Sequence, residues 1–232
     1  PIRTAPAPAG RPMTDPSRLG GGYAESQPDP HPTTAAVLEA ARPGAATAHL
    51  VVLAGPPGVG KSAVAGLVLS LLPHSFAVDK DQTAAGFILQ SASDRALPEA
   101  AAYGSAHYWH RLRPLEYAGA TALACANLVG TRTVLLIGGW GPELGVEKLW
   151  TSLARRIAPA RLSVIHLEPP PLKVWRARMA GRGSRCDSPW FEGFAAALSN
   201  LPVWTGARRI ETDGTLTEVG AAVLEAITTP LP

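Results

Sequence analysis

The segment at residues 55–62, with the sequence GPPGVGKS, constrains the fold of this chain more than any other. It follows the apolar run HLVVLA at residues 49–54 and precedes a helical pattern that ends at Pro73. The backbone N–H groups of such a glycine-rich turn point inward and form an anion site, and the helix N-terminus adds its positive dipole end. A buried strand, this turn and a helix therefore predict a phosphate-binding loop within an α/β fold.

Residues of this loop and of the first helical turn are predicted to bind a nucleoside triphosphate, either ATP or GTP. The glycines allow backbone conformations that a side chain would hinder. Lys61 can reach between the terminal phosphates, and the Ser62 hydroxyl can bind Mg²⁺. The complete predicted set is Gly55, Pro56, Pro57, Gly58, Val59, Gly60, Lys61, Ser62 and Ala63.

Strand and helix patterns alternate along the rest of the chain. Short apolar runs predict four further strands, at residues 75–79, 133–137, 162–167 and 209–211. Helical patterns are found at residues 33–41, 61–72, 98–112, 114–128, 142–157, 169–179, 188–199 and 216–227. The alternation implies right-handed crossovers, so it predicts a three-layer α/β sandwich of the P-loop NTPase type with a mostly parallel five-stranded sheet.

Composition separates this chain from several other classes of protein. Residues 1–32 are rich in Pro and Gly and are predicted to form a flexible tail, which leaves one domain at residues 33–232. No apolar run is long enough for a membrane helix, and the N-terminus lacks the pattern of a secretory signal, so we expect a cytoplasmic protein. Cys125 and Cys186 are interpreted as reduced thiols. The net charge of +3 is too small to decide whether the chain binds nucleic acid, which is not the favoured partner. A homo-oligomer is also left open.

Two aspartates follow the second predicted strand, in the sequence Asp79-Lys80-Asp81. Ligands of open α/β sheets bind at the carboxyl ends of the strands, where the phosphate-binding loop also lies. Asp81 is predicted to take the proton of an attacking hydroxyl, and Asp79 to bind Mg²⁺ together with Ser62. The alternative is that these residues form a solvated turn.

A group of arginines lies in the sequence WRARMAGRGSRCD at residues 175–187. Arg178 and Arg182 are four residues apart, so a helix would present both on one side. The planar guanidinium group suits a phosphate whose charge spreads in the transition state. These two residues are therefore predicted to bind the nucleotide and to act in catalysis from a movable lid, with hinges at Gly181 and Gly183. The alternative is an ordinary basic surface helix.

Four motifs, GPPGVGKS, VDKDQ, TVLLIGGWGPEL and RARMAGRGSRCD, occur in this order along the chain. Together they resemble the small P-loop kinases related to chloramphenicol phosphotransferase, zeta toxins and the kinase domain of polynucleotide kinase, over residues 50–213. The resemblance implies a kinase domain in which Asp81 activates the acceptor hydroxyl. It also implies that Arg178 and Arg182 are the lid arginines, with Arg185 nearby.

The chain departs from this family pattern at the end of the third strand. Many relatives carry an aspartate there, whereas this chain has Ile137 followed by Gly138, Gly139 and Trp140. Either Asp79 or Asp81 would then serve Mg²⁺ through water, or Ser62 and the nucleotide alone would hold it. The absence of this carboxylate argues against a fast ATPase motor, but it is compatible with a kinase that uses Asp81.

The acceptor is expected to bind between the second and third strands, where the segment AHYWHRLRPLEY is rich in aromatic and polar residues. This composition suits a pocket for a polar, ring-bearing small molecule, to which Trp140 would also contribute. The alternative is ordinary amphipathic packing. A zinc site fails for lack of further ligands. The residues considered are Tyr103, His107, Tyr108, Trp109, His110, Arg111, Arg113, Glu116 and Tyr117.

The leading hypothesis is transfer of the γ-phosphoryl group of ATP or GTP to a hydroxyl of a small molecule, with an antibiotic as the favoured acceptor. One alternative is a polynucleotide or nucleoside 5′-hydroxyl kinase, with a basic channel drawn from Arg111, Arg113, Arg132, Arg155 and Arg156. Another is a zeta-toxin-like kinase of a sugar nucleotide. An alternative from a different class is a regulatory NTPase whose output is a conformational change.

Overall fold

All five strands of the sheet run parallel, because a crossover containing at least one helix joins each strand to the next. The computed structural model describes residues 29–229, so the tail predicted at residues 1–32 lies almost wholly outside the described residues. The strands are β1 (His49–Ala54), β2 (Ser75–Asp79), β3 (Thr133–Ile137), β4 (Arg161–Leu167) and β5 (Arg208–Ile210). Their order across the sheet is β2-β3-β1-β4-β5.

Helices cover both faces of this sheet, so the predicted α/β sandwich is confirmed, with a sheet that is wholly rather than mostly parallel. The predicted strands agree with the observed ones to within a residue at most ends. The helices are α1 (His31–Ala40), α2 (Lys61–Leu71), α3 (Lys80–Asp94), α4 (Arg113–Ala126), α5 (Glu147–Ile157), α6 (Leu172–Gly181), α7 (Trp190–Ser199) and α8 (Leu216–Thr228).

The central strand β1 shows how the two layers of helices are held. Successive side chains of a strand point to opposite faces, and every residue of β1 is buried. Leu50 and Val52 pack into one core with residues of α1, α4 and α5. Val51 and Leu53 pack into a second core with α2 and α8. An uninterrupted apolar run is therefore what a strand covered on both faces requires.

Between β2 and β3, the sequence analysis missed one helix and assigned another segment wrongly. Residues 80–94 form α3, which the sequence analysis did not predict. The first turn of this helix depends on a side-chain cap, in which Asp79 accepts a hydrogen bond from the Asp81 N–H (3.0 Å). The helix predicted at residues 98–112 is instead a 3₁₀ turn (Glu99–Ala101) followed by a π-helical segment (Tyr108–Leu112) that continues into α4. Such π segments often occur at functional sites.

Helices α6 and α7 follow β4 and form a separate aromatic cluster. Trp175 and Met179 of α6 pack with Phe191 and Phe194 of α7, and all four side chains are buried. The two helices lie in the part of the chain where a lid was predicted. Across residues 29–229, the helices are either too short or too polar to cross a membrane.

Candidate active site

The glycine-rich loop lies at the carboxyl edge of the sheet, held between the ends of the two strands that flank β1. The Gly55 N–H donates to the Gly139 carbonyl (3.4 Å) after β3. On the other side, a Cβ added at Gly55 would lie 2.6 Å from the Leu167 carbonyl oxygen at the end of β4. Gly60 has a φ of 98° at the start of α2, a conformation that favours glycine. The loop geometry therefore agrees with the predicted anion site.

Lys61 folds back over this loop. Its Nζ donates to the carbonyl oxygens of Gly55 (2.7 Å) and Pro56 (2.9 Å). Burial lowers the pKa of Lys61 to about 8, although the charges of Asp81 and Asp79 act in the opposite direction. Contact with a terminal phosphate requires the ammonium group to exchange these carbonyl bonds for bonds to phosphate oxygens, which carry full charge.

Ser62 and Asp79, predicted as the Mg²⁺ ligands, lie next to each other. The Ser62 hydroxyl donates to Asp79 Oδ2 (3.5 Å), while Oδ1 of the same carboxylate caps α3. A hydroxyl and a carboxylate oxygen are suitable ligands for Mg²⁺, which also retains water and phosphate oxygens. The residues present thus fit the ion. Within residues 29–229, no group of three or more His, Cys, Asp or Glu side chains forms a fuller metal site.

Asp81, whose side chain is 38% exposed, is held by its neighbour Lys80. Lys80 Nζ lies 2.5 Å from Asp81 Oδ1 and 3.1 Å from Glu116 Oε1, and the lysine is only 6% exposed. Burial alone would raise the pKa of Asp81, but the Lys80 charge and hydrogen bond outweigh it and lower that pKa. The carboxylate is therefore ionised at neutral pH. A solvated turn at residues 79–81 is excluded by the burial of Lys80.

Arg178 of α6 and Arg182, which follows this helix, have different surroundings. Arg178 donates to the Thr212 carbonyl (2.9 Å), beside a cavity of about 200 Å³ that borders the phosphate-binding loop. Arg182 follows the last residue of α6, and its charge lowers the pKa values of both Lys61 and Asp81. Arg182 is thus close to Lys61 and Asp81, whereas Arg178 borders the cavity.

Trp175 contacts the loop directly, and the sequence analysis did not identify it. Its indole N–H donates to the Pro57 carbonyl (2.7 Å). A Cβ at Gly58 would lie 2.8 Å from Met179 Sδ and 3.1 Å from Trp175 Nε1. The spacing of Trp175 and Met179, which puts two apolar residues on one helix face, is the sequence signal that was available.

The segment predicted to bind the acceptor forms a largely buried polar cluster next to Asp81. The Tyr108 hydroxyl donates to Glu116 Oε2 (2.7 Å), and the other oxygen of Glu116 binds Lys80. His110 and Arg111 are exposed. Trp140 was expected to line the pocket, but it is buried in the core, where its ring packs edge-on against Tyr117 at 4.7 Å. The cluster is thus packed into the protein interior, where its polar side chains bind one another.

The basic channel considered for a polynucleotide acceptor is contradicted by the structure. Arg113 is 1% exposed and forms an ion pair with Glu143 (2.7 Å). Arg132 immediately precedes β3, and Arg155 and Arg156 lie at the end of α5, which leads into β4. These three arginines are therefore at the amino edge of the sheet, opposite the phosphate-binding loop.

The chain matches no protein-family model and no characterised protein sequence. The tunicamycin resistance protein of Deinococcus radiodurans superposes on it with a TM-score of 0.54 at 18% identity, over 79% of this chain and 97% of that one. Shikimate kinase of Bacteroides thetaiotaomicron superposes with a TM-score of 0.51 at 16% identity, over 78% and 98% of the two chains.

Both likenesses extend over nearly the whole length of the matched proteins, and at these identities they concern the fold alone. The narrower resemblance to chloramphenicol phosphotransferase, zeta toxins and polynucleotide kinase stays a prediction. The five-stranded parallel sheet, the loop after β1 and these superpositions agree with one another. The chain has the fold of the small P-loop kinases.

Proposed function

We propose that this chain is a phosphotransferase that moves the γ-phosphoryl group of ATP or GTP to a hydroxyl of a small molecule. The observation that carries the proposal is the meeting of a phosphate loop and a carboxylate pair at one edge of the sheet. The Ser62 hydroxyl, one residue beyond the loop lysine, contacts Asp79 (3.5 Å), and Asp79 in turn binds the backbone of Asp81. Nucleotide binding and acceptor activation are thereby brought within one site.

In the proposed reaction the acceptor oxygen forms a bond to the γ-phosphorus while the bond to the β,γ-bridging oxygen breaks. The nucleoside diphosphate leaves with the bonding electrons, and the hydroxyl proton passes to the ionised carboxylate of Asp81. Lys61 and Arg182 offset the charge that develops on the phosphate oxygens. Mg²⁺, when held by Ser62 and Asp79, would polarise those oxygens.

The cavity of about 200 Å³ beside the loop supports a site for the nucleotide base. It is lined by main-chain and apolar groups at Gly60, Ala63 and Gly214, with Arg178 at its edge. A flat base between an arginine and main chain would have both faces covered. Arg178 would then bind the nucleotide through its base rather than through its phosphates.

An antibiotic is the acceptor that we favour within this class. Of the two proteins of similar fold, one is named for tunicamycin resistance and the other for shikimate. One fold thus accommodates chemically different acceptors, so the acceptor must be found by assay rather than by analogy.

The proposal is tested with γ-labelled ATP and GTP against a panel of hydroxyl-bearing compounds that includes chloramphenicol, other antibiotics, sugars and nucleosides. Mass spectrometry should detect an acceptor that gains one phosphate group. Release of free phosphate at a rate that no acceptor changes would contradict the kinase and favour a regulatory NTPase. A protein that binds neither ATP nor GTP would contradict both.

Lys61→Ala provides the first specific prediction. The substitution removes a charge from the terminal phosphates, so turnover should fall by a factor on the order of 10²–10³ or more. Since the Lys61 ammonium group donates to carbonyl oxygens of the loop, the circular dichroism spectrum should not change. Lys148→Ala, at an exposed position of α5, is the control and should retain full activity.

A further inference from the structure

The Tyr103 hydroxyl is a buried polar group that no hydrogen bond within residues 29–229 satisfies. The residue is 8% exposed, and its hydroxyl oxygen has no hydrogen-bond partner among the described residues. A buried hydroxyl without a partner costs about 1–3 kcal/mol. Since buried polar groups in proteins are nearly always paired, an unpaired one next to a candidate active site calls for an explanation.

Tyr103 lies over the polar cluster beside Asp81. Its ring centroid is 5.7 Å from Lys80 Nζ, and that same ammonium group binds both Asp81 and Glu116. The ring also packs edge-on against Tyr108 at 5.0 Å, which fixes its orientation. One lysine side chain therefore connects the Tyr103 phenol with the carboxylate that is proposed to receive the acceptor hydroxyl.

The Tyr103 phenol keeps its proton at any physiological pH. Burial raises its pKa, and the Glu116 and Asp81 carboxylates raise it further. The hydroxyl can thus donate to an oxygen of a bound molecule, whereas an oxygen of Asp81 can accept. Lys80 contacts both groups, so one donor and one acceptor belong to the same cluster.

The fixed charges of the cluster are predominantly negative. Asp81 and Glu116 are two carboxylates that share the one ammonium group of Lys80. Arg113 is already paired with Glu143, and Lys61 and Arg182, whose charges also act on Asp81, are proposed to bind the triphosphate. A carboxylate or phosphate on the acceptor would therefore find no spare cation in the cluster, while a neutral or amine-bearing group would meet no repulsion.

We propose that Tyr103 and Asp81 together form the acceptor subsite, and that it selects neutral or amine-bearing molecules with at least two neighbouring oxygens over anionic ones. Asp81 receives the reacting hydroxyl, and Tyr103 donates to a second oxygen of the same molecule. This inference rests on the proposed phosphotransferase activity and narrows its substrate class.

Two matched substitutions test the hydroxyl without reference to any acceptor. Tyr103→Phe removes a hydroxyl that has no partner in the part of the chain that the structure describes, so the free energy of unfolding in urea should stay the same or rise. Tyr108→Phe removes a hydroxyl that donates to buried Glu116, so it should lower the free energy of unfolding. A Tyr103→Phe protein destabilised as much as Tyr108→Phe would overturn the proposal, because the hydroxyl would then have a partner within the protein.

The transfer arm uses acceptors that share a hexopyranose ring and differ in charge, such as glucose, glucosamine and glucuronate, together with the antibiotic panel. Transfer should be confined to neutral and amine-bearing members. Tyr103→Phe should raise the KM for the acceptor roughly 3- to 10-fold, as expected for one lost hydrogen bond, and leave the KM for ATP unchanged. If the Tyr103 hydroxyl served only the fold, its removal would change neither the KM for the acceptor nor the KM for ATP.

Preferential transfer to a carboxylate- or phosphate-bearing member, or an unchanged acceptor KM in Tyr103→Phe, would overturn the subsite. Absence of transfer to every compound by the wild-type protein would contradict the phosphotransferase activity itself, and the subsite with it. The unfolding comparison reports on the Tyr103 hydroxyl in either case, so the two failures can be told apart.

Discussion

At the scale of single residues, the candidate site is organised around Lys80. This side chain lies between the two aspartates in sequence, yet it points into the protein, where Asp81 and Glu116 both bind it. Its burial keeps Asp81 in one position and ionised, while Asp79 faces Ser62. The two aspartates thus have different surroundings, although the sequence makes them look equivalent.

Asp81→Asn should separate catalysis from nucleotide binding. The amide cannot take a proton, so turnover should fall by a factor on the order of 10²–10⁴ while the Kd for ATP stays nearly constant. Steady-state kinetics and calorimetry measure the two quantities. Asp79→Asn is the matched variant, since asparagine preserves the helix cap. Full activity in Asp81→Asn together with loss in Asp79→Asn would mean that Asp79 is the proton acceptor.

At the scale of elements, α6 is joined to the phosphate-binding loop. Trp175 binds the Pro57 carbonyl, and Met179 occupies the space that a side chain at Gly58 would need. The same helix carries Arg178, and Arg182 follows its last residue. The position of both arginines relative to a bound triphosphate therefore depends on the contact between this helix and the loop.

Gly58→Ala should disturb that contact. The glycine has a φ of 84°, and the added Cβ would lie 2.8 Å from Met179 Sδ. We expect a loss of about 1–3 kcal/mol in the free energy of unfolding and weaker ATP binding. Gly66→Ala, at an exposed helical position with no atom within 4 Å of the new Cβ, should instead stabilise by about 0.5–1 kcal/mol. Equal stability in the two variants would contradict the proposed contact.

The ion pair between Arg113 and Glu143 joins α4 to the 3₁₀ turn (Gly141–Gly145) that follows β3. Both side chains are almost completely buried. Arg113→Met would leave the Glu143 charge without this partner, so the free energy of unfolding should fall by about 3–5 kcal/mol. The double variant with Glu143→Leu should recover most of the loss in urea denaturation. Equal losses in the single and double variants would mean that the cost comes from packing rather than charge.

At the scale of the whole molecule, the strand order decides what the site contains. Because β3 lies between β1 and β2, the helix α2 crosses over β3 and brings Ser62 towards the end of β2. The residues that follow β3, Gly138, Gly139 and Trp140, provide no carboxylate there. The carboxylates of the site therefore come from β2 and its continuation into α3.

Buried histidines should make the stability of the whole domain depend on pH. Burial lowers the pKa of His49 and that of His166 to about 4, from 6.5 in the unfolded chain. Between pH 4 and pH 6.5 the unfolded state binds more protons than the folded state does. The contribution of these histidines to the free energy of unfolding is therefore fully present above pH 6.5 and is lost as the pH falls towards 4. Each histidine should contribute on the order of 2–3 kcal/mol.

His49→Gln keeps a partner for Ser163 and should make this fall about half as steep in urea denaturation at successive pH values. His110→Gln, at an exposed position, is the control and should leave the slope as in the wild type. An unchanged slope in His49→Gln would show that its side chain is not held neutral in the folded protein.

Most of the fold was predictable from the sequence because its determinants are local. A continuous apolar run needs a strand covered on both faces, and the turn GPPGVGKS needs a strand before it and a helix after it, so β1 and its loop follow directly. The helix α3 was missed because its start depends on a side-chain cap, and the segment at residues 98–112 was wrong because its turns are set by contacts with α3 and α4.

The sequence by itself predicted a triphosphate site and the residues proposed to surround the phosphates, since one short motif contains the loop, Lys61 and Ser62. Only the tertiary structure decided that Lys80 is buried between two carboxylates, that Arg178 binds the Thr212 carbonyl, and that Trp175 holds the loop. Those relations join residues far apart along the chain, and no local pattern encodes the direction in which a side chain finds its partner.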